Sequence, residues 1–256
     1  MPVDTAPPPI TMVTWNLQGS NGVDIAGVGE VIAAAHPDVV AIQEIQRGQA
    51  RRLAAALGMA HLRWAFKNLS FLRRPEGLAV ISRHRLLSAD AFLLRRAWLW
   101  NWRRRIGLAV EIDRNEGRFG VINVHLSPHD DGDRRRREAH LAVERARVSE
   151  RLPIIVGDFN DLPGGPGYDV VTGSGWSDSW LIDKLQDIEG PTNWTPGERR
   201  GRPPSQRLDF VFVPPGWSVV DAKVLAESDR FDWFADRSDH LPLLAAARPP
   251  DDPGLP

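Results

Sequence analysis

The stretch that most constrains the fold runs from Ile154 to Pro163, where an apolar, β-branched run ends in polar residues. A strand that is covered on both faces can be apolar throughout, so its polar side chains appear where it leaves the core. Because residues i and i+2 of an extended chain point the same way, Asp158 and Asn160 are predicted to converge on one small volume. Gly157 has no Cβ and would let another backbone or a ligand approach closely. By itself, the stretch is equally compatible with a strand that runs into an Asx-type turn.

The composition excludes several kinds of site. The chain of 256 residues has no cysteine, so a disulfide framework, a thiolate metal site and a thiol nucleophile are all excluded. Any metal ion must therefore take oxygen or imidazole ligands. A formal net charge of −1 argues against a strongly basic nucleic-acid-binding surface, although local arginine runs can still contact phosphates.

The sequence shows neither a membrane-spanning segment nor a signal peptide. No apolar run approaches the ~20 residues of a membrane span. The first nine residues contain an aspartate and four prolines where a signal peptide would need a basic residue and an apolar stretch. We therefore expect a protein without a transmembrane segment, located in the cytoplasm, and infer no obligate protein partner.

Hydrophobic periodicity predicts a single domain over residues 10–247, with frayed ends at 1–9 and 248–256 that are rich in proline and aspartate. Helices are predicted at 25–35, 48–57 and 133–152, with a short one near 168–171. Strands are predicted at 10–16, 39–42, 76–82, 91–94, 105–112, 119–125, from 154, at 208–213 and from 241. Residues 61–71 are compatible with a strand plus a loop, 219–225 with an additional strand, and 173–204 mostly with loop. Because strands outnumber helices and hairpin signals recur, the pattern favours a mixed α/β fold with mainly antiparallel pairing.

Polar or ionisable residues stand at the ends of these apolar strands: Asn16, Glu44, Glu76, His125, Asp158, Asn160, Asp209, Asp239 and His240. Buried acids are costly unless they are paired or ligated. Carboxylate and amide oxygens suit Mg²⁺, for which Mn²⁺ could substitute, whereas zinc is disfavoured despite the two histidines. Singly, Asn16 could cap a turn and His125 could be a satisfied core histidine. Taken together, however, these purely structural roles would not account for a cluster of buried acids.

Short motifs follow one another in a fixed order over nearly the whole chain: Thr14-Trp15-Asn16-Leu17, Gln43-Glu44, Glu76 to Arg83, Asn123-Val124-His125-Leu126, Gly157-Asp158-Phe159-Asn160, Arg207 to Val213 and Ser238-Asp239-His240-Leu241-Pro242. In this order they resemble the endonuclease/exonuclease/phosphatase superfamily, whose members include deoxyribonuclease I-like and exonuclease III-like enzymes. The resemblance implies a four-layer α/β sandwich, in which two packed, mainly antiparallel β-sheets are flanked by helices and the active site lies at one rim.

The resemblance also implies roles for the metal and the nucleophile. Glu44 would ligate Mg²⁺, with Asn16 and Asp239 near the metal or its waters. Asp158 would orient and deprotonate the attacking water, and Asn160 would hold the scissile phosphate.

Two histidines would complete the site by the same resemblance. His240, oriented by Asp209, would donate to a phosphoryl oxygen, and His125, supported by Glu76, would act on the leaving-group side. These roles suit phosphoryl transfer, which needs in-line geometry and neutralisation of charge on the nonbridging oxygens.

Two features depart from the nuclease-like members or add to them. A tyrosine that often precedes the acid matched by Glu76 is replaced here by arginine and proline, so Arg74 is a candidate phosphate contact. Trp98, Trp100 and Trp102, flanked by arginines, could stack on bases, although the pattern favours a core-facing or covering strand. Arg207 is as compatible with a solvated side chain as with a phosphate contact.

The sequence therefore predicts a Mg²⁺-dependent phosphoesterase that hydrolyses a phosphodiester by metal-assisted attack of water, with DNA or RNA as the leading substrate. An alternative is a phosphatase or phosphodiesterase for a small nucleotide, a sugar-phosphate or a lipid headgroup. An alternative of another class is a non-catalytic binding protein that retains the fold.

Overall fold

The computed structural model describes residues 7–69, 74–95, 104–128, 131–183, 190–195, 201–226 and 228–250. The first sheet contains, in spatial order, β11 (Ser218–Val224), β12 (Leu243–Arg248), β1 (Ile10–Asn16), β2 (Val39–Ile45), β4 (Pro75–Ser82) and β3 (His61–Leu69). The second sheet contains β5 (Arg85–Arg95), β6 (Arg105–Arg114), β7 (Gly117–His125), β8 (Ile154–Asp158), β10 (Asp209–Val213) and β9 (Ser177–Asp178).

Helices connect and cover these strands. They are α1 (Ile25–Ala34), α2 (Arg47–Ala56), α3 (Gly132–Arg147), α4 (Pro166–Gly173), α5 (Ser179–Asp183) and α6 (Phe231–Ala235), with short 3₁₀ turns at Gly19–Asn21 and Ser228–Arg230. Strands β1 and β2, like β7 and β8, pair in parallel, because α1 and α3 carry the chain back between them. The remaining pairings in both sheets are antiparallel.

Three apolar cores separate four layers. Met12 and Val156 meet in the core between the two sheets. Val28 of α1 and Leu53 of α2 pack on the outer face of the first sheet, and Val143 of α3 packs on the outer face of the second. A central strand such as β1 is therefore covered on both faces, and its charge-free sequence carries only Thr11 and Thr14 as polar residues before Asn16. The predicted four-layer sandwich with mainly antiparallel sheets is confirmed.

A buried polar link joins the two sheets just below the edge where the polar residues collect. Asn123 Nδ2 donates to the carbonyls of Ile42, at 3.1 Å, and Ala79, at 3.0 Å. Gln43 Nε2 donates to Asn123 Oδ1 at 2.8 Å and to Thr14 Oγ1 at 3.0 Å. The pairing of β2 with β4 shifts register after Ile42, and this irregularity lets Gln43 enter the link.

Gly157 makes the close contact between β7 and β8 possible. Its φ is +136°, and a Cβ there would lie 2.1 Å from the Val124 carbonyl and 3.1 Å from Asn123 Oδ1. The close approach predicted for this glycine is therefore made by the neighbouring backbone. Any larger residue would push apart the strands that carry His125 and Asp158.

The structure corrects some predicted boundaries. Helix α3 ends at Arg147 rather than at residue 152, because Ser149 bonds back to the helix end through its N–H and hydroxyl. The segment 173–204, predicted mostly as loop, contains the short β9 and α5. Of the predicted ends, Pro8 and Pro9 accept hydrogen bonds from Arg114, while residues 1–6 and 251–256 lie outside the described residues. No described helix is both long and apolar enough to cross a membrane.

The link between the sheets predicts a specific loss of stability. We expect Asn123→Ala to lower the free energy of unfolding by about 2–4 kcal/mol, because two buried carbonyls and the Gln43 amide lose their partner. Urea denaturation measures this loss. Asn115→Ala, in the exposed turn between β6 and β7, is the control and should change stability by no more than ~0.5 kcal/mol. Equal losses in the two variants would contradict the prediction.

Candidate active site

One edge of the sandwich collects the predicted site residues. The carboxyl ends of β1, β2, β7 and β8 point to this edge, and their antiparallel neighbours β4, β10 and β12 start there. The pairing thereby brings residues from distant parts of the sequence together: Asn16, Glu44, Glu76, His125, Asp158, Asn160, Asp209, Asp239 and His240.

Asp158 lies at the centre of this group and is only 1% exposed. Asn16 Nδ2 donates to its Oδ2 at 2.9 Å, and the Asn160 N–H donates to its Oδ1 at 2.8 Å. His125 Nε2 and His240 Nε2 lie 3.5 Å and 3.7 Å from the same Oδ2. Burial raises the pKa of Asp158 to about 6, although the charge of His240 acts in the opposite direction. The carboxyl group is thus tuned to accept a proton near neutral pH.

His240 forms a tight pair with Asp209. Its Nδ1 lies 2.7 Å from Asp209 Oδ2, and both side chains are buried. Burial would lower the pKa of His240, but the carboxylates of Asp209 and Asp158 outweigh it and raise this pKa to about 10. The backbone of His240 is fixed as well, since its N–H donates to Ser238 Oγ and its carbonyl accepts from Trp15 Nε1. His240 is therefore an oriented imidazolium whose Nε2 faces Asp158.

His125 has a partner that the sequence did not suggest. Lys67 Nζ on β3 lies 3.2 Å from His125 Nδ1 and 3.2 Å from Glu44 Oε1. The ammonium can only donate, so Nδ1 accepts and the ring proton lies on Nε2, toward Asp158. Nδ1 also lies 3.8 Å from Glu44 Oε1, and Glu76 accepts hydrogen bonds from Ser20. The only sequence signal for Lys67 was its place in the aromatic and basic stretch 61–71.

The backbone is strained at several points of the edge. Gln18, Glu44 and Asn160 have φ between 46° and 54°, and His36 is the other described non-glycine residue with positive φ. Such conformations persist where the surrounding structure over-determines them, and they concentrate at functional sites. Asn160 Nδ2 donates to the Leu126 carbonyl, which fixes the residue after β8. Gln18, which the sequence analysis missed, donates to Asp239 Oδ2 at 2.8 Å.

Of the residues predicted to contact substrate, those that the structure describes do not lie in the group around Asp158. Arg74 is exposed, and its guanidinium donates to the Ser20 carbonyl beside Glu76. Arg207 requires a correction: it is neither solvated nor open to substrate, but lies buried in an ion pair of 2.7 Å with Asp178. Trp98, Trp100 and Trp102 lie outside the described residues.

The sequence as a whole matches one family. The profile of the Endonuclease/Exonuclease/phosphatase family matches residues 13–240. The chain belongs to this family. Members of the family are generally phosphoesterase hydrolases, and their fold usually uses a divalent metal ion. No curated protein matches the sequence.

Solved structures share the family fold at low sequence identity. An endonuclease/exonuclease/phosphatase from Beutenbergia cavernae DSM 12333 has a TM-score of 0.76 and 24% identity, covering 95% of this chain and 72% of that one. The human nocturnin catalytic domain has a TM-score of 0.72 and 19% identity, covering 96% and 95% of the two chains. A mannosyl-6-phosphatase from Bacteroides thetaiotaomicron has a TM-score of 0.69 and 19% identity, covering 93% and 99%.

The charges at the edge fit the divalent cation that the family usually uses. Five carboxylates, those of Glu44, Glu76, Asp158, Asp209 and Asp239, face four described cations, Lys67, Arg74, Arg105 and His240, which leaves one negative charge when all ionise. Burial and the neighbouring charge of Glu44 raise the pKa of Glu76, as expected where negative charge is uncompensated. A bound divalent cation would supply the missing positive charge.

The ligands of such a cation can be narrowed down by hydrogen bonding. Asp158, Asp209 and His240 have potential ligand atoms within 4.8 Å of one another. His240, however, keeps its ring protons up to a pH of about 10 and already binds Asp209, so its ring nitrogens are not available to a metal ion. Glu44 and Asp239, whose side chains are 24% and 23% exposed, are the accessible carboxylates for a metal, together with the Asn16 side-chain oxygen.

The His240–Asp209 pair predicts how stability depends on pH. Because the folded-state pKa of His240 is raised to about 10 from an ordinary 6.5, the stabilisation is complete below pH 6.5 and is lost as the pH rises through about 10. The deficit of Asp209→Asn in unfolding free energy should therefore shrink between pH 6.5 and pH 10, as measured by urea denaturation. Asp90→Asn, which removes an exposed carboxylate of β5, is the control and should show no such trend. A constant deficit in Asp209→Asn would refute the raised pKa.

Proposed function

We propose that this protein is a Mg²⁺-dependent phosphoesterase that hydrolyses a phosphodiester by attack of water, with DNA or RNA as the leading substrate. The observation that carries the proposal is the arrangement around Asp158, where a buried carboxylate with a pKa raised to about 6 lies within 3.7 Å of two histidine Nε2 atoms. A base and proton donors that converge on one small volume are what hydrolysis of a phosphate ester requires.

Asp158 is the proposed base. Asn16 and the Asn160 N–H hold one carboxylate oxygen each, so the carboxyl plane is fixed before substrate arrives. The carboxylate orients a water molecule and takes its proton as the water attacks phosphorus. Its raised pKa makes this transfer favourable near neutral pH.

The two histidines donate hydrogen bonds from the other side of this volume. His240, held as an imidazolium by Asp209, donates from Nε2 to a nonbridging phosphoryl oxygen and stabilises the charge that develops there. His125, whose Nδ1 faces Lys67, presents an Nε2–H of fixed orientation to the phosphate or to the leaving oxygen. Mg²⁺, held by Glu44 with Asn16 and Asp239, would neutralise charge on the phosphoryl oxygens when bound.

A small phosphate ester is the second candidate substrate. It is favoured by the net charge of −1 and by the buried ion pair of Arg207, which removes one predicted contact for a polynucleotide. One structural neighbour, at 19% identity, is a mannosyl-6-phosphatase. Assays on single- and double-stranded DNA, RNA, nucleotides, sugar-phosphates and phospholipids separate the two candidates.

Hydrolysis of bis-p-nitrophenyl phosphate tests the proposed activity. We expect Mg²⁺-dependent turnover that EDTA abolishes and that falls by about 10²–10⁴-fold in Asp158→Ala and in His240→Ala. Asp90→Asn, on the distant strand β5, should retain wild-type activity. Undiminished hydrolysis in both Asp158→Ala and His240→Ala would exclude the mechanism, and a wild-type protein inactive on every ester would favour a binding protein.

The pH dependence of kcat/KM tests the assignment of base and acid. Activity should rise through a pH at or below about 6, since a bound cation lowers the pKa of Asp158 further, and should fall near pH 10 as His240 loses its proton. Asp209→Asn should move the alkaline limb to lower pH, because Asp209 raises the pKa of His240. An alkaline limb that stays near pH 10 in this variant would contradict the role given to His240.

A further inference from the structure

One side of the sandwich is formed by an edge strand from each sheet. Strand β3 is the last strand of the first sheet, β5 is the first strand of the second, and the two strands contact each other. Three large apolar side chains are exposed there: Phe66 and Leu69 on β3, at 39% and 54%, and Leu93 on β5, at 46%. A single exposed leucine needs no explanation, but apolar side chains that share one side indicate an interaction surface.

Arg104 brings a basic group to the same side. Its Nε donates to the Lys67 carbonyl at 2.7 Å and its Nη2 to the Phe66 carbonyl at 2.6 Å, while the guanidinium carbon lies 4.9 Å from the centre of the Phe66 ring. The register of β5 with β6 pairs Leu93 with Ile106, two residues after Arg104. Phe66 and Leu93 therefore both lie near the end of β6 at which Arg104 crosses to β3.

The charge along this side has one sign. Residues 61–75 and 91–110 contain nine of the chain's 32 lysine and arginine residues and none of its 33 acids. Lys67 and Arg105 are buried, whereas Arg63 and Arg74 are exposed. In a chain with a formal net charge of −1, such a segregation of positive charge favours an anionic partner for this side.

The exposed leucines distinguish between the classes of anionic partner. Single-stranded nucleic acids bind basic grooves in which bases stack on aromatic rings, and Leu69 and Leu93 offer no such platform. At the interface of a bilayer, in contrast, aliphatic and aromatic side chains are buried against acyl chains while arginines bind lipid phosphates. We propose that the β3–β5 surface, which comprises Arg63, Phe66, Leu69, Leu93 and Arg104, binds an anionic membrane.

Lys67 connects the β3–β5 surface with the active-site edge. Its carbonyl accepts from Arg104 at the surface, and its Nζ lies 3.2 Å from Glu44 Oε1 and 3.2 Å from His125 Nδ1 in the site. A bound membrane would therefore lie beside the site, so that among small phosphate esters a phospholipid headgroup is the substrate that this arrangement favours. The choice of substrate rests on the proposed function, whereas membrane binding does not.

Co-sedimentation of the full chain with vesicles of phosphatidylcholine and about 30% phosphatidylglycerol tests the proposal. We expect the double substitution Leu69→Ser and Leu93→Ser to lower the vesicle partition coefficient at least about tenfold, because two aliphatic side chains no longer insert. Arg63→Gln should lower it about fivefold, since one basic group is lost. All these variants should keep wild-type turnover of bis-p-nitrophenyl phosphate, which is soluble in water.

Two matched controls lie away from the β3–β5 surface. Val220 is 48% exposed on β11, at the opposite edge of the first sheet, and Arg85 is exposed at the other end of β5. Val220→Ser and Arg85→Gln should bind the vesicles like the wild type. Losses equal to those of the leucine and Arg63 variants would overturn the proposal, because binding would then not depend on the position of the side chain.

Other outcomes also decide the inference. Failure of the wild type to bind the vesicles would overturn it, as would wild-type binding by the folded leucine variant; if the double variant does not fold, Leu69→Ser alone carries the test. Binding of a DNA oligonucleotide that Arg63→Gln weakens, without vesicle binding, would assign the surface to nucleic acid. A wild-type dimer that the leucine variant dissociates, without vesicle binding, would assign it to a second copy of the chain. Both results would overturn membrane binding.

The test separates this inference from the proposed activity. Leucine-dependent vesicle binding by a protein that hydrolyses no ester would support the β3–β5 surface while refuting the phosphoesterase. Hydrolysis of bis-p-nitrophenyl phosphate without vesicle binding would do the reverse.

Discussion

The hydrogen bonds that Asn123 makes across the sandwich fix the distance between the two sheets at the point where the site is assembled. The first sheet contributes Glu44 and His240 to the edge, whereas the second contributes His125 and Asp158. Apolar packing alone would allow the sheets to slide, because dispersion and hydrophobic contacts have little directionality. A buried amide that satisfies two carbonyls of the opposite sheet has essentially one acceptable position. The separation of Asp158 and His240 therefore follows from a contact that lies outside their own group.

The local electrostatics give Asp158 and His240, which are neighbours at the edge, very different pKa values. Burial raises the pKa of Asp158 to about 6, while two carboxylates raise that of His240 to about 10. Between pH 6 and pH 10 the Asp158 carboxylate can accept a proton and the His240 imidazolium can donate a hydrogen bond. Asp158 Oδ2 and His240 Nε2 are nevertheless only 3.7 Å apart. One fold can thus hold a proton acceptor and a hydrogen-bond donor at one pH, because the environments of the two groups differ. The surplus negative charge is the cost of this arrangement, and a bound divalent cation would offset it.

Much of the fold and of the central group could be predicted from the sequence, because both depend on local patterns. Alternating and continuous apolar runs located most of the strands, and the polar residues at their ends predicted that Asp158 and His240 would lie at one edge. Partners brought by long-range pairing could not be predicted. Lys67 is a single residue in a stretch without a clear period, and Arg207 finds its carboxylate in a segment predicted as loop. The sequence shows that a charge is present, but only the packing shows which opposite charge it meets.

The order of strands in the first sheet has a consequence for synthesis. Strand β1 pairs with β12, and the Trp15 indole bonds to the His240 carbonyl across a separation of 225 residues. On the ribosome, β1 and its apolar neighbours must therefore wait for nearly all of the domain to emerge before one flank of the first sheet can close. The second sheet, whose β5 to β8 are consecutive, can form earlier. Non-local pairing of this kind slows folding and leaves strand edges exposed to aggregation. His240 enters the edge as one of its final components, so the group around Asp158 stays incomplete until β12 is in place.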